Sequence, residues 1–215
     1  TDERTLTIAE HVLVHKTNTP ICETLKQLGC DSMGLHSLSS CVLKAETLRL
    51  NGENGRKIDL GLVGQVVEVN AHLLNALCAA GTIPVIAPIA EDSTGGRLNV
   101  NADSAAGKVA AAVQAEKLVV VSDTHGVLTD MNDPNSWVSS LNETQIKEMI
   151  DAGIITDAMF PKVEACIIAL DGGAKKAHII DGRIEHSLLL EIYTDKGVGT
   201  QIIKNGKQNI EEAKV

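Results

Sequence analysis

The regular alternation of apolar strand-like runs with helix-like segments is the feature that most constrains how this chain can fold. Mostly apolar runs of strand length occupy Thr82–Ile89, Leu118–Ser122 and Ala177–Asp181, and segments with helical periodicity lie between them. Strands that are apolar on both faces and separated by helices are typical of a mostly parallel sheet covered on both sides. The sequence therefore predicts an α/β domain, whose ligands should bind at the carboxyl ends of the strands.

Capping residues and glycines mark where the helices begin and end. Asn70 stands before an apolar helical segment that Gly81 ends, and Asn142 with Gln145 forms a capping box for a later helix. A hairpin is expected around the turn signal NGENG, Asn51–Gly55. The same kinds of signal predict further helices at 2–13, Thr19–Leu28, Ala102–Gln114, 161–171 and His186–Tyr193, and further strands at Ser32–Leu35, Val42–Thr47, Leu60–Val69 and Thr200–Ile203.

Composition disfavours several classes of function. The chain of 215 residues has a formal net charge of −9 and contains three aromatic residues, Trp137, Phe160 and Tyr193. Nucleic-acid binding is disfavoured, since it relies on positive charge and on the stacking of bases on aromatic rings. No run reaches the ~18 apolar residues of a membrane helix, and the N-terminus lacks the layout of a secretory signal, so we expect a cytoplasmic protein. Five cysteines at irregular spacing predict free, buried thiols and no metal site.

The first cluster of polar residues that could carry chemistry lies in LNVNADSAAG, where Asn99, Asn101 and Asp103 stand at the start of an Ala-rich helix. Here side-chain amides, a carboxylate and the N–H groups of a helix N-terminus can converge on an anionic ligand. The simpler alternative is that Asn101 or Asp103 is an N-cap that bonds only to its own helix, because capping is the commonest role of Asn and Asp at such positions.

Two further segments are candidates for a phosphate or nucleotide site. SDTHGVL, Ser122–Leu128, follows an apolar strand and places Gly126 where a backbone can approach a ligand closely, although any βα turn has a similar composition. Lys162 follows Pro161 in a predicted first helical turn, where a positive charge opposes the helix dipole and so favours an anionic partner. A phosphoryl group fits that partner, and a solvated surface lysine is the alternative.

Taken together, these segments resemble the N-acetylglutamate kinases of the amino acid kinase family. The resemblance runs from Thr1 to about Lys204, and its most specific parts are NVNAD, the lysine of PKVEA, and HIIDGR with GVGT. It implies a three-layer αβα sandwich with a mostly parallel central sheet, a homo-oligomer, and transfer of the γ-phosphoryl group of ATP to the side-chain carboxylate of N-acetyl-L-glutamate. Within a single domain over 1–215, residues 1–69 would belong to the acetylglutamate-binding half and 70–215 to the nucleotide-binding half.

The resemblance also implies roles for particular residues. Asn99 and Asn101 would contact acetylglutamate, Asp103 would orient the catalytic lysines, and Lys162 would stabilise the transferring phosphoryl group. The nucleotide would carry Mg, and the residues lining it would be Ser122, Asp123, Gly126, Val127, Leu128, Ile154, Ile155, Thr156 and Met159. Some family members are inhibited by arginine, and the positions that match the effector site are His178, Glu191 and Gly197.

The chain also departs from the family pattern. A Lys-x-Gly-Gly segment, a His-Gly-Gly-Gly loop and a substrate-binding arginine precede the Thr-Asp of residues 1–2 in the family, and they are not found in these 215 residues, so we expect the N-terminal part of the fold to be missing. His15, GLHSLSS at 34–40 and Ala158 replace glycine-containing family positions, and Met131 replaces an expected lysine. Two functions stay open: an active acetylglutamate kinase, and a catalytically inactive, kinase-derived ligand-binding or regulatory module.

Overall fold

A computed structural model describes residues 1–36, 39–51, 57–130, 132–133, 136–156, 158–194 and 197–205. The chain forms two compact units, Thr1–Val113 and Gln114–Val215. Five of the eight strand pairings in the described ranges are parallel, so the predicted α/β class with mostly parallel pairing is confirmed. The boundary predicted between an acetylglutamate-binding half, 1–69, and a nucleotide-binding half, 70–215, concerns which residues bind which ligand, so these two compact units do not test it and it stays a prediction.

The helices of the first unit begin where the sequence indicates. Asp2 caps α1, Glu3–His11, because its carboxylate accepts the N–H of Thr5 at 2.7 Å. A π-helical segment, Val12–Asn18, joins α1 to α2, Thr19–Gln27, so the helix predicted at 2–13 changes its geometry near its end. The other helices described in this unit are α3, Ala71–Ala79, and α4, Ala102–Ala112.

The strands of the first unit form a pair and a small barrel. They are β1 at Ser32–Leu35, β2 at Leu43–Asn51, β3 at Lys57–Val69, β4 at Ile83–Ile86, β5 at Ile89–Glu91 and β6 at Arg97–Val100. β1 and β4 pair in parallel, and the other four close a barrel in the order β2, β3, β6, β5. The β2–β3 hairpin confirms the prediction, although most of its NGENG turn lies outside the described residues.

The prediction of a single strand over Thr82–Ile89 is wrong, because the structure divides this segment into β4 and β5. The N–H of Ala87 donates to the carbonyl of Leu35 at 3.0 Å, and the next residue, Pro88, has no N–H with which to continue the ladder. Pairing begins again at Ile89, which lies opposite Asn99 in the antiparallel β5–β6 pair. The short strand β6 is a second difference, since its apolar pattern alone does not predict it.

The second unit contains a mixed sheet with helices beside it. Its described strands are β7 at Lys117–Ser122, β8 at Ser140–Asn142, β9 at Lys176–Asp181 and β10 at Thr200–Ile203, and its described helices are α5 at Glu143–Asp151, α6 at Phe160–Asp171 and α7 at Ser187–Tyr193. The strand order is β7, β9, β10, β8, and β9–β10 is the antiparallel pair. In the parallel β7–β9 pair, Ser122 lies opposite Asp181, so the two carboxyl ends are adjacent.

The direction of α6 places its N-terminus near those carboxyl ends. The helix packs against β7 and β9, and only residues 172–175 join it to the start of β9. Because such a short connection turns the chain back, α6 runs opposite to β9. Its first turn therefore lies toward the edge of the sheet where β7 and β9 end.

Candidate active site

The predicted substrate residues of the first unit lie at the junction of β6 and α4. Asn99 is on β6, opposite Ile89 of β5, and it is partly exposed. Asn101 is the N-cap of α4, since its Oδ1 accepts the N–H of Ser104 at 2.9 Å. Asp103 lies in the first turn of the same helix, where the helix dipole stabilises a carboxylate.

The capping role limits how Asn101 can bind a ligand. Because its Oδ1 bonds to its own helix, the amide NH₂ group is the part of the side chain that can donate to an anion. The structure thus shows Asn101 as the N-cap of α4. Contact of Asn99 or Asn101 with a substrate stays a prediction.

In the second unit, the SDTHGVL segment leaves the carboxyl end of β7 as the pattern predicts. Ser122 ends the strand, and its hydroxyl donates to Oδ1 of the exposed Asp123 at 3.3 Å. Gly126 has a φ of 117°, in the region that favours glycine. A Cβ atom at Gly126 would lie 2.4 Å from Oγ1 of Thr200, so the loop has no room for a side chain at this position.

Thr200 of β10 holds this loop through a contact that the sequence pattern does not reveal. Its buried hydroxyl donates to the carbonyl of Val138 at 2.6 Å and accepts the N–H of Val127 at 2.9 Å. Leu128, the next residue, forms an isolated β-bridge with Trp137. These contacts hold the second half of the predicted nucleotide loop in one fixed turn.

The other predicted nucleotide residues form the connection between α5 and α6. The N–H groups of Ile154 and Ile155 both donate to the carbonyl of Met149, at 2.9 and 3.2 Å, and Ile155 is buried. The carbonyl of Thr156 accepts the N–H of Met159 at 3.0 Å. Backbone hydrogen bonds therefore fix Ile154, Ile155 and Thr156 just before the first turn of α6.

Lys162 lies in that first turn, as predicted. Pro161 precedes it at a position where a helix needs no N–H group, and the N-cap, Met159, makes no side-chain capping bond. The backbone N–H of Lys162 donates to the carbonyl of Met159 at 3.1 Å, so the side-chain ammonium group is the part of the residue that could meet an anion. The direction of α6 brings this residue toward the edge where β7 and β9 end.

A buried carboxylate at the end of β9 lies beside the same edge. The side chain of Asp181 is 1% exposed. Its carboxylate accepts hydrogen bonds from Nε and Nη2 of Arg183, at 2.9 and 2.8 Å, and from the backbone N–H of Arg183. Nδ1 of His125 lies 3.4 Å from Oδ2 of Asp181. The hydrogen bonds from Arg183 outweigh burial and lower the pKa of Asp181 to about 2. The motifs SDTHGVL and HIIDGR contain these residues, but neither motif by itself indicates that they meet.

The three positions predicted for an arginine effector are brought together. Nδ1 of His178 lies 2.6 Å from Oε1 of Glu191, and both side chains are buried. Oε2 of Glu191 accepts the N–H groups of Val198 and Gly199, and a Cβ atom at Gly197 would lie 2.6 Å from it. Burial raises the pKa of Glu191, but the hydrogen bonds from His178 and the loop outweigh it, so the pKa lies below its ordinary value. Arginine binding itself stays a prediction.

The described ranges contain seven histidines and five cysteines, none of which forms part of a metal site or a disulfide there. No group of three or more His, Cys, Asp or Glu is placed there to hold a metal ion, and no helix has the length and apolar character needed to cross a membrane. None of the five cysteines forms a disulfide, and Cys22 and Cys166 are buried as predicted. The prediction of buried thiols is wrong for Cys30, which lies in the turn after α2, and for Cys78, which lies at the exposed end of α3.

Comparison with known proteins gives consistent family matches. A model of the amino acid kinase family matches residues 1–181. An acetylglutamate kinase of Caldanaerobacter subterraneus subsp. tengcongensis is 46% identical over 204 residues, which cover 95% of this chain and 66% of that protein. An acetylglutamate kinase of Symbiobacterium thermophilum is 44% identical over 205 residues, which cover 95% of this chain and 70% of that protein. The chain thus spans about two thirds of the length of these curated relatives.

Solved structures show the same fold. The protein smu.665 from Streptococcus mutans UA159 aligns with a TM-score of 0.75 at 26% identity, over 94% of this chain and 73% of that one. A carbamate kinase from Giardia aligns with a TM-score of 0.64 at 12% identity, over 93% of this chain and 72% of that one. The second likeness concerns the fold alone, and it extends over nearly the whole of this chain.

Proposed function

The chain belongs to the amino acid kinase family, and from this premise we propose that it transfers the γ-phosphoryl group of ATP to the side-chain carboxylate of N-acetyl-L-glutamate. The product is the acyl phosphate N-acetyl-L-glutamate 5-phosphate, an intermediate of arginine biosynthesis. The observation that carries the proposal is the identity of 46% with an acetylglutamate kinase over 95% of this chain.

In this proposal the junction of β6 and α4 binds the acceptor. Asn99 and the amide NH₂ of Asn101 donate to acetylglutamate, and Asp103 orients the catalytic lysines. The support is local: Asn99 is partly exposed on its strand, and the helix N-terminus of α4 favours a nearby anion.

The loops at the ends of β7 and α5 bind the donor. Asp123 and the turn at Gly126–Leu128 line the nucleotide on one side, and Ile154–Thr156 with Met159 line it on another. The turn is supported by the fixed hydrogen bonds to Thr200. Mg enters with the nucleotide, as part of the substrate.

The reaction is a direct displacement. An oxygen of the acceptor carboxylate attacks the γ-phosphorus in line, the bond from that phosphorus to the β–γ bridging oxygen breaks, and ADP leaves with the electron pair. Lys162 stabilises the negative charge of the group in transfer, and no covalent intermediate with the protein is required. Catalysis on this scheme comes from positioning and from positive charge.

Three further parts of the proposal come from the resemblance. The reaction takes place in the cytoplasm, the protein acts as a homo-oligomer, and arginine binds near His178, Glu191 and Gly197. Each can be examined separately from the phosphoryl transfer.

The test of this function uses an acceptor panel. The chain is incubated with ATP, Mg and either acetylglutamate, glutamate or aspartate, hydroxylamine traps any acyl phosphate as a hydroxamate, and ADP is measured in parallel. We expect hydroxamate and ADP in equal amounts with acetylglutamate and neither product above background with the other acids. Equal turnover of aspartate would contradict the proposed acceptor.

A further inference from the structure

The turn that follows β9 lies against the end of β7, where the proposed nucleotide loop begins. The N–H of Gly182 in this turn donates to the carbonyl of Ser122 at 2.8 Å. A Cβ atom at Gly182 would lie 2.5 Å from Cγ1 of Val121, so the backbone of the turn approaches the strand closely. The turn of Asp181, Gly182 and Arg183, called the DGR turn below, is therefore in direct contact with the start of the loop.

Two side chains of the loop lie near opposite charges of the DGR turn. Nδ1 of His125 lies 3.4 Å from Oδ2 of Asp181. Asp123 is close enough to Arg183 for its charge to act on the guanidinium group. When the imidazole is protonated, the acid and the base of the loop therefore each have a partner of opposite charge in the turn.

Asp181 offers the imidazole of His125 a fixed acceptor. Its buried carboxylate is held by Nε, Nη2 and the backbone N–H of Arg183. Because these hydrogen bonds lower the pKa of Asp181 to about 2, the carboxylate is ionised at neutral pH and can only accept hydrogen bonds. The ring nitrogen that lies beside it, Nδ1, therefore carries a hydrogen atom both in the favoured neutral tautomer and in the imidazolium ion.

The contact of His125 joins the first half of the loop to another strand. The hydroxyl of Thr124 donates to the carbonyl of Gly126 at 3.5 Å, so that hydrogen bond stays within the loop. In the described ranges, His125 makes the one ion pair that links residues 123–126 to a strand other than β7. The second half of the loop is held separately, by the hydroxyl of Thr200. The two contacts therefore hold the loop on either side of Gly126.

We infer that His125 is a positioning residue for the nucleotide, and that its ion pair with Asp181 holds residues 123–126 in the conformation that binds ATP. The inference deepens the proposed function and rests on it. Because His125 acts through the loop, its loss weakens the binding of ATP and ADP alike. The phosphoryl transfer step, which is assigned to Lys162, does not depend on this contact.

The test measures nucleotide binding and turnover separately. Binding of MgADP to the full chain is measured by calorimetry without an acceptor, and the KM for ATP and the kcat are measured by hydroxamate formation. In His125→Leu, which removes both ring nitrogens, the Kd for MgADP and the KM for ATP should rise about threefold to fivefold, as expected for the loss of a partly exposed ion pair. The kcat and the KM for acetylglutamate should stay within about twofold of the wild-type values.

Matched variants show whether the contact with Asp181 carries the effect. His125→Asn keeps an N–H donor near the position of Nδ1 and should bind MgADP within about twofold of the wild type. In an Asp181→Asn background, His125→Leu should cause no further loss, because the charge that holds the imidazole is already removed. His72→Leu, at an exposed position of α3, should leave every constant unchanged. If Asp181→Asn melts early, the comparison of His125→Asn with His125→Leu decides the question.

The outcomes distinguish the inference from the function on which it rests. A wild-type Kd for MgADP in folded His125→Leu, equal losses in His125→Leu and His125→Asn, or no binding of MgADP by the wild type overturns the role of His125. Nucleotide binding that depends on His125 without any acyl phosphate supports the positioning role and contradicts the proposed phosphoryl transfer.

Discussion

The carboxylate of Asp181 and the guanidinium of Arg183 are joined by two parallel hydrogen bonds, from Nε to Oδ1 at 2.9 Å and from Nη2 to Oδ2 at 2.8 Å. The acid is 1% exposed and the side chain of the arginine is 63% exposed, so the pair connects the end of β9 to the surface. The backbone N–H of Gly182 donates to the carbonyl of Ser122 at 2.8 Å and ties the same turn to β7. The edge that carries the proposed nucleotide loop is therefore fixed by charge as well as by backbone pairing.

Replacing Asp181 should change how stability depends on acidity. Because Arg183 bonds to its charged form, the pKa of Asp181 is about 2, against an ordinary value of 3.8. A carboxylate with a lowered folded pKa contributes stability that is present above its unfolded pKa and is lost as the pH falls from about 4 to about 2. Urea unfolding at several pH values should show that Asp181→Asn is less stable at neutral pH and loses less on acidification.

The control for this experiment is Asp151→Asn, at the exposed end of α5. Its pH dependence should follow that of the wild type. A stability profile of Asp181→Asn that runs parallel to the wild-type profile across the acid range would contradict the role given to the Arg183 pair.

Thr200→Val should destabilise the second unit and loosen the proposed nucleotide loop. The substitution keeps the shape but leaves the N–H of Val127 and the carbonyl of Val138 without their partner. A buried polar group left unsatisfied costs about 1–3 kcal/mol, so the free energy of unfolding should fall by that order and the KM for ATP should rise. Thr129→Val, which removes a hydrogen bond of an exposed threonine to Ser136, should cost less than about 0.5 kcal/mol. Equal effects of the two variants would count against the loop-holding role.

His36→Gln should reduce the loss of stability between neutral and mildly acidic pH. Burial and the charge of His15 lower the pKa of His36, and the charge of Glu10 offsets them only in part. A histidine with a lowered folded pKa destabilises the folded state as the pH falls below about 6.5, because the unfolded chain binds the proton more tightly. Melting temperatures at pH values on either side of that point should therefore differ less for His36→Gln than for the wild type. The exposed His72→Gln on α3 should behave like the wild type.

Met33→Lys should reduce self-association of the chain. In the described residues β1 pairs with β4 alone, and Met33 and Ile83 on this pair are 45% and 41% exposed. Short strands with exposed apolar side chains and open edges favour pairing with another chain, and a charge on the strand opposes it. Sedimentation velocity should show larger species for the wild type than for Met33→Lys. Leu28→Lys, at an exposed position beyond α2 and off the strands, should sediment like the wild type.

Local signals in the sequence predict local structure well here. The capping box at Asn142 and Gln145 forms both of its hydrogen bonds, at 3.0 and 2.9 Å, because the partners are neighbours along the chain. The first turn of α6 at Lys162 and the cap of α4 at Asn101 follow from the same kind of short-range rule. The positions of these candidate site residues on their helices could therefore be predicted from sequence.

Contacts between distant residues could not be predicted in this way. Thr200 is 73 positions from Val127, and Arg97 is 87 positions from Glu10. No sequence pattern indicates which residue the hydroxyl or the guanidinium group will contact. The short strands β6 and β8 likewise depend on pairing with neighbouring strands, and not on an apolar period of their own. The parts of the site that depend on such contacts needed the structure.

The most direct test of the central claim is the rate of acyl phosphate formation by Lys162→Ala, measured as hydroxamate with saturating ATP, Mg and acetylglutamate. Lys147→Ala, an exposed lysine of α5, is the matched control, and the melting temperatures of both variants establish that they are folded. Loss of a preorganised charge at the transferring group should lower kcat by about 10²–10³-fold in Lys162→Ala, while Lys147→Ala keeps the wild-type rate. A folded Lys162→Ala protein that forms hydroxamate at the wild-type rate would contradict the account.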